Sequence, residues 1–159
     1  MQKINFGVLL LSSFIFLGMC PIDEPETEIN AELLLQLVNS HRASGCKCGS
    51  EKKHGRTTPL VWNTTLEQAA QAHSDDMYAK KFLRHSGSDG SSAGARLKRF
   101  GYTWKTCGEN ISQGHTTEEG VIIGWMNSPG HCRNIMNPAF KEIGVARKGD
   151  YWTMVLGAR

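Results

Sequence analysis

Trp125-Met126-Asn127-Ser128-Pro129-Gly130-His131-Cys132-Arg133-Asn134-Ile135-Met136-Asn137-Pro138 packs a helix exit, two proline turns, a histidine and a cysteine into one short stretch. Pro129 fixes its own φ, and Gly130 is open to backbone angles that other residues avoid. Ser128 and Pro129 have the residue types of an N-cap and first helical position, so a short helix is expected to carry His131 to Met136. If Cys132 is then held by a disulfide, the neighbouring imidazole sits on a rigid tether.

Outward from this stretch, the chain alternates helical and extended signals. Upstream, Thr116-Thr117-Glu118-Glu119 is a capping box that opens a helix with Val121, Ile122, Trp125 and Met126 turned inward. Downstream, Ile143–Ala146 and Tyr151–Leu156 flank Arg147-Lys148-Gly149-Asp150 as a β-hairpin with a four-residue loop. Earlier in the chain, Leu34, Leu37, Val38 and His41 mark one face of a helix from Asn30 to Ser44, ended by Gly45. Residues 46–58 read as an irregular loop and Pro59–Trp62 as extended. Thr64-Thr65-Leu66-Glu67 is a second capping box, and Leu66, Ala69, Ala70, His73 and Met77 form the inward stripe of a helix to about Lys81. On that apolar stripe His73 is expected to be a hydrogen-bonded core residue. A shorter helix spans Ala93–Phe100 and stops at Gly101. Tyr102–Trp104 is extended, and Cys107–Ile111 forms another compact segment. Helices followed by a small antiparallel sheet define an α+β domain with helices covering the sheet.

Residues 1–19 carry a basic start at Lys3, an apolar run from Phe6 to Leu17 and the exit Leu17-Gly18-Met19. This is the layout of a secretion signal, too short to span a bilayer as a mature helix. Cys20 stands where a bacterial lipoprotein signal places its acylated cysteine, with loss of Cys20 by ordinary cleavage as the alternative. Residues 20–29 then form an acidic, proline-bearing tether, and residues 30–159 the domain. The expected location is the cell envelope, on a membrane surface through the lipid, or secreted. The net charge is +3, of which Lys3 supplies one unit, and no long basic run occurs, so nucleic acid is excluded as a partner. Five cysteines are present: Cys20, Cys46, Cys48, Cys107 and Cys132. Setting Cys20 aside leaves an even number in an exported chain, which favours two disulfides tying the Cys46/Cys48 loop to Cys107 and Cys132. A zinc site of four thiolates is disfavoured by the Cys46-Lys47-Cys48 spacing.

Together the segments resemble the CAP superfamily, the cysteine-rich secretory proteins, antigen five and plant pathogenesis-related proteins, also called SCP domains. The resemblance covers residues 30–157. It rests on Leu37 to Arg42, Pro59 to Asn63, the helix from Ala69 to Met77, His85-Ser86, Gly108-Glu109-Asn110-Ile111, Trp125 with Ser128 to His131, and Tyr151-Trp152-Thr153. The Ser128-Pro129-Gly130-His131 form is like the bacterial branch. The resemblance implies a three-layer α-β-α sandwich, with a cleft of two histidines and two acidic residues able to hold a divalent metal. By motif His85 and Glu109 match the first histidine and first glutamate. Tyr151 stands where animal and plant members have their second histidine, and Ser128 where they have their second glutamate. His131 is the candidate that compensates, so the cleft set is His85, Glu109, His131 and Tyr151.

Chemically, two imidazoles and a carboxylate suit zinc, and three protein ligands with an open position would activate a bound water. His85, Glu109 and His131 are the metal candidates on that ground. No nucleophile with an identifiable base accompanies them. Trp62, Trp104, Trp125 and Trp152 are expected to anchor the core. Three functions stay open: a monomeric ligand-binding or interaction module for a lipid, glycan or protein of the cell envelope; a divalent-metal-dependent hydrolase using the same cleft; and an exported structural domain with no ligand.

Overall fold

The computed structural model describes residues 28–50 and 53–159. The secretion signal, Cys20 and most of the tether lie outside the described residues. Among the described residues no helix is long and apolar enough to cross a membrane.

Among the described residues eleven elements follow one another. They are α1 (Ala31–Ser44), β1 (Cys46–Lys47), β2 (Lys53–His54), β3 (Val61–Trp62), α2 (Thr64–Lys80), α3 (Ala93–Arg99), β4 (Thr106–Gln113), α4 (Glu118–Asn127), α5 (Pro129–Met136), β5 (Glu142–Lys148) and β6 (Tyr151–Ala158). Four strands form one sheet in the order β3-β5-β6-β4, and β1 and β2 make a separate two-stranded ribbon. The sheet is antiparallel except at its edge, where β3 runs parallel to β5. Every residue of β6 is buried, as a strand covered on both faces requires. Alternation along the strands sends Ile143, Val145, Trp152, Met154 and Leu156 to one core, with Leu34, Val38, Ile122, Trp125 and Ile135 from α1, α4 and α5. Ala146 and Val155 go to the other, with Leu66, Ala69, Ala70 and Leu97 from α2 and α3. This is the α+β, three-layer sandwich.

Local chemistry accounts for the element ends and corrects several expected boundaries. The α2 N-cap is Asn63, whose side chain accepts from the Thr65 and Leu66 amides, one residue before the Thr64 expected from the capping box. Glu67, freed from that box, instead accepts from the indole of Trp62 at 2.9 Å. Thr117 caps α4, accepting from the Gly120 amide, one residue after the Thr116 expected from its capping box. On α1 the buried stripe runs Leu34, Val38, Arg42, so Arg42 takes the inward position expected of His41. The hairpin loop is Gly149-Asp150 and not four residues, because Arg147 and Lys148 pair with Trp152 and Tyr151. Gly149 takes the positive φ, +58°, that a two-residue turn demands. Residues 46–54 contain the β1–β2 ribbon, and the compact segment at 107–111 is the centre of an eight-residue strand. Of the four tryptophans only Trp125 and Trp152 are fully buried.

Gly144 sets the closeness of α2 to the sheet. A Cβ there would lie 2.1 Å from the Glu67 amide nitrogen, so the helix backbone rests directly on β5. On the opposite layer Arg42, fully buried, bonds five acceptors: the carbonyls of Thr58, Ile135, Asn137 and Phe140, and the Thr57 hydroxyl. Arg42→Ala is expected to lower the unfolding free energy by about 3 kcal/mol or more, since a buried group that loses its partner costs roughly 1–3 kcal/mol. Urea unfolding checks this, and Arg42→Lys, with three donors in place of five, should restore only part of the loss.

Candidate functional site

Glu109 lies on β4, and the strand's period of two decides what surrounds it. Gly108 and Asn110 face α5: a Cβ on Gly108 would meet Phe140 and Asn134, and the Asn110 amide donates to the His131 carbonyl at 3.1 Å. Cys107 and Glu109 therefore face α2 and α3. There the Arg96 guanidinium donates to Glu109 Oε2 at 2.5 Å, and His85 Nδ1 lies 2.8 Å from Oε1. The two groups differ in setting. Arg96 and Glu109 are buried, whereas the His85 side chain is 59% exposed. Arg96 also donates to the carbonyls of His85 and Ser91, so it braces the loop that presents the imidazole.

The carboxylate fixes the electronic state of His85. Its hydrogen bond to Glu109 is the largest effect and raises the imidazole pKa, against the opposing pull of partial burial. A proton on Nδ1 is thus directed at Glu109, and Nε2 is left to face outward. His131, on the first turn of α5, is half-buried. Desolvation lowers its pKa, and a charge on His85 lowers it further, which puts the two imidazoles in one electrostatic neighbourhood. His73 is fully buried on α2, where its Nε2 meets the Arg84 carbonyl at 3.0 Å and burial lowers its pKa. It lies 3.9 Å from Glu109 and takes the core position expected of it. Tyr151 goes elsewhere. It pairs with Gln113, four residues along β4 from Glu109, and packs with Met77, Ile111 and the edge of Tyr78. At about 3.3 Å per residue, that separates it from the His85–Glu109 pair by roughly 13 Å along the strand.

Arg96 was not among the candidates from sequence. The one available signal is its place beside Leu97 on a short helix, which gives no hint of a carboxylate thirteen positions later.

The donor set does not fit a three-ligand metal centre. Both Glu109 oxygens are occupied, one of them by a guanidinium whose positive charge opposes a cation on the same carboxylate. Two imidazoles remain, short of the three protein ligands of a catalytic zinc site. Among the described residues, the group whose donor atoms do converge is Cys46, Cys48 and Cys132, all within 4.8 Å of one another. This cluster could hold a metal only with its sulfurs reduced, because Cys48 and Cys132 form a disulfide that spans 84 residues with a Cα–Cα distance of 5.5 Å.

That bond fastens α5, and so His131, to the segment after α1. The second expected disulfide is corrected: Cys107 and Cys46 are both free thiols. Cys107 points into the α2–α3 layer beside Trp104, Leu97 and Tyr102, with the sheet between it and the Cys46/Cys48 segment.

With fold and site in view, the chain belongs to the cysteine-rich secretory protein family, whose sequence model matches residues 35–155. It is 41% identical over 106 residues to the uncharacterized protein YkwD of Bacillus subtilis, covering 65% of this chain and 41% of that protein. A membrane protein of the same organism, YlbC, is 29% identical over 101 residues, covering 64% of this chain and 29% of YlbC. The chain thus spans less than half the length of these curated relatives. Among solved structures, an extracellular protein containing an SCP domain from Bacillus anthracis superposes with a TM-score of 0.71 at 26% identity, covering 80% of this chain and 40% of that one. An outer surface protein of Borrelia burgdorferi gives 0.68 at 19% identity, covering 80% and 91%, a likeness of fold alone.

Glu109→Gln tests the electrostatic chain. Its removal takes the hydrogen-bonded anion from His85, so the His85 pKa, followed by NMR titration, should fall toward or below the ordinary histidine value of about 6.5. The same change strands Arg96, and leaving one partner of a buried ion pair costs roughly 3–5 kcal/mol. An unmoved His85 titration would show that the carboxylate does not govern the imidazole.

Proposed function

We propose that this chain is an extracytoplasmic ligand-binding or interaction module, acting through a cleft at the exposed His85 and the neighbouring, half-buried His131. The observation that carries the proposal is the buried Arg96–Glu109 pair beneath a largely exposed imidazole. A buried ion pair is costly to keep for stability alone. Here its effect is to hold one solvent-facing histidine in a set orientation and to raise its pKa, which serves recognition of a polar group on a ligand. The ligand class is a lipid, glycan or protein of the cell envelope. Extracytoplasmic placement is supported by the signal-like residues 1–19, by the Cys48–Cys132 disulfide and by relatives described as extracellular or outer-surface proteins. In this proposal a lipid on Cys20 and the residues 20–29 hold the domain close to a membrane, as a monomer.

The second function, a divalent-metal-dependent hydrolase, is disfavoured by the engagement of both Glu109 oxygens by His85 and Arg96. Binding of envelope phospholipid vesicles and of soluble peptidoglycan fragments, compared between wild type and the variants His85→Ala and His131→Ala, tests the proposal. Each variant should weaken binding of the probe that wild type recognises by tenfold or more, with thermal unfolding little changed. Equal binding by all three proteins would remove the cleft from the function. Metal bound stoichiometrically to wild type and lost in His85→Ala would favour the hydrolase.

Lipid anchoring is tested by the mass of the mature N-terminus. A diacylated Cys20 adds several hundred daltons, on the order of two long acyl chains. An N-terminus that begins beyond Cys20 would exclude the anchor.

A further inference from the structure

Three sulfurs meet on the far side of the sheet from the Glu109 carboxylate. Cys48 and Cys132 are fully buried and bonded to each other. Cys46, the first residue of β1, is a half-buried thiol whose sulfur lies 3.7 Å from that of Cys132. A disulfide with no exposure is closed to a thiol arriving from solution, yet here a thiol of the same chain is already in contact with one of its sulfurs.

We propose that Cys46, Cys48 and Cys132 form an intramolecular thiol–disulfide exchange centre. In the exchange the Cys46 thiolate attacks the Cys132 sulfur, a Cys46–Cys132 bond forms, and the Cys48–Cys132 bond breaks. The bonding pair leaves on Cys48 as a thiolate, which takes up the proton that Cys46 gave. The numbers of disulfides and of electrons are unchanged, so no oxidant or reductant is needed. Attack along the disulfide axis requires Cys46 to swing behind the bond by rotation about its own side chain.

The local fold suits such an exchange. Residues two apart on an extended segment point to the same side, so Cys46 and Cys48 can each address Cys132. The segment is bounded by Gly45 and Gly49, both at φ +67°, and it is held by a ribbon of only two residue pairs, Cys46 with His54 and Lys47 with Lys53. Burial pushes the Cys46 thiol up from its ordinary pKa while the Lys53 ammonium on β2 draws it partly back. In both isomers Cys132 stays bonded, so α5 and His131 remain fastened while the free thiol changes from a half-buried position to a fully buried one. This centre does not depend on any ligand of the His85 cleft.

Peptide mapping of the full chain distinguishes the isomers, because trypsin cuts after Lys47 and separates Cys46 from Cys48. Wild type held at pH 8.5 without reductant, then brought to pH 6, denatured and alkylated at once so that the buried Cys48 is reached, and digested, should yield alkylated Cys48 together with a Cys46–Cys132 cross-linked peptide. The share of both should shrink when the incubation is at pH 6. In Cys46→Ser, Cys48 should stay unlabelled. Cys48→Ser should form the Cys46–Cys132 bond and leave Cys132 unlabelled. The proposal is overturned if wild type at pH 8.5 gives neither product, or if Cys48 is labelled equally in Cys46→Ser, which would assign the labelling to opening of the domain. Should Cys48→Ser fail to fold, the wild-type map and its Cys46→Ser control decide alone.

Discussion

The buried guanidinium of Arg42 is the constraint on which one whole layer depends. Its acceptors belong to the segment at 57–58, the last turn of α5, the residue after it and Phe140. No carboxylate is among them. The charge is dispersed over carbonyl dipoles that would otherwise be orphaned at a helix end and in irregular chain, where backbone groups must find partners. Desolvation lowers its pKa, as it must for a cation without a counter-ion. Arg42 thereby does for loops what a strand ladder does for strands, and it places the start of β3 and the end of α5 together. The disulfide acts on the same layer from the other end of α5, so the helix that carries His131 is fixed at both ends by different chemistry.

On the opposite layer Arg96 does use a carboxylate, and the contrast is instructive. Arg42 solves a packing problem and presents nothing to solvent. Arg96 and Glu109 are equally withdrawn from water, but their pair continues outward into an exposed imidazole. A guanidinium on one oxygen neutralises the carboxylate without removing its remaining lone pairs, so Glu109 can orient His85 while being a poor partner for a divalent cation. The same geometry that weakens the metal candidate therefore strengthens the case for His85 as an oriented recognition group.

What the sequence made legible follows from how local each signal is. The N1 proline at Pro129, the start of α1 beside Asn30 and the apolar stripes of α2 and α4 are set within a few residues, and these elements form close to where the sequence places them, with the caps of α2 and α4 each one residue from the expected position. The strand β4 was read only as a compact segment. Its residues Glu109 and Asn110 are polar because they meet polar partners on both faces, Arg96 and His85 on one and α5 on the other, so the usual apolar alternation is absent. The pairing of Cys48 with Cys132 but not of Cys107 with Cys46 depends on which face of β4 Cys107 occupies, and no signal within a few residues carries that. Arg96 was missed for the same reason: its partner is defined only once β4 exists. Tyr151 was singled out from the resemblance alone, and its register opposite Gln113 is a matter of strand pairing that no motif carries.

The position of the two imidazoles follows from the edge of the sheet. In the order β3-β5-β6-β4, β4 has a neighbour on one side only, and an exposed edge invites pairing with another chain. Its outward carbonyls are instead taken by side chains: the Asn134 amide donates to the Glu109 carbonyl at 3.2 Å, and the Trp125 indole to the Ile111 carbonyl at 3.2 Å. Because α4 and α5 cover this edge with donors and not with a strand, the chain can pass from one face of the sheet to the other around it. That is how His131, from the α5 layer, comes into the neighbourhood of His85, from the loop after α2. Protection of the edge and assembly of the histidine pair are one arrangement, and loosening α5 would be felt first at the edge carbonyls and then at His131.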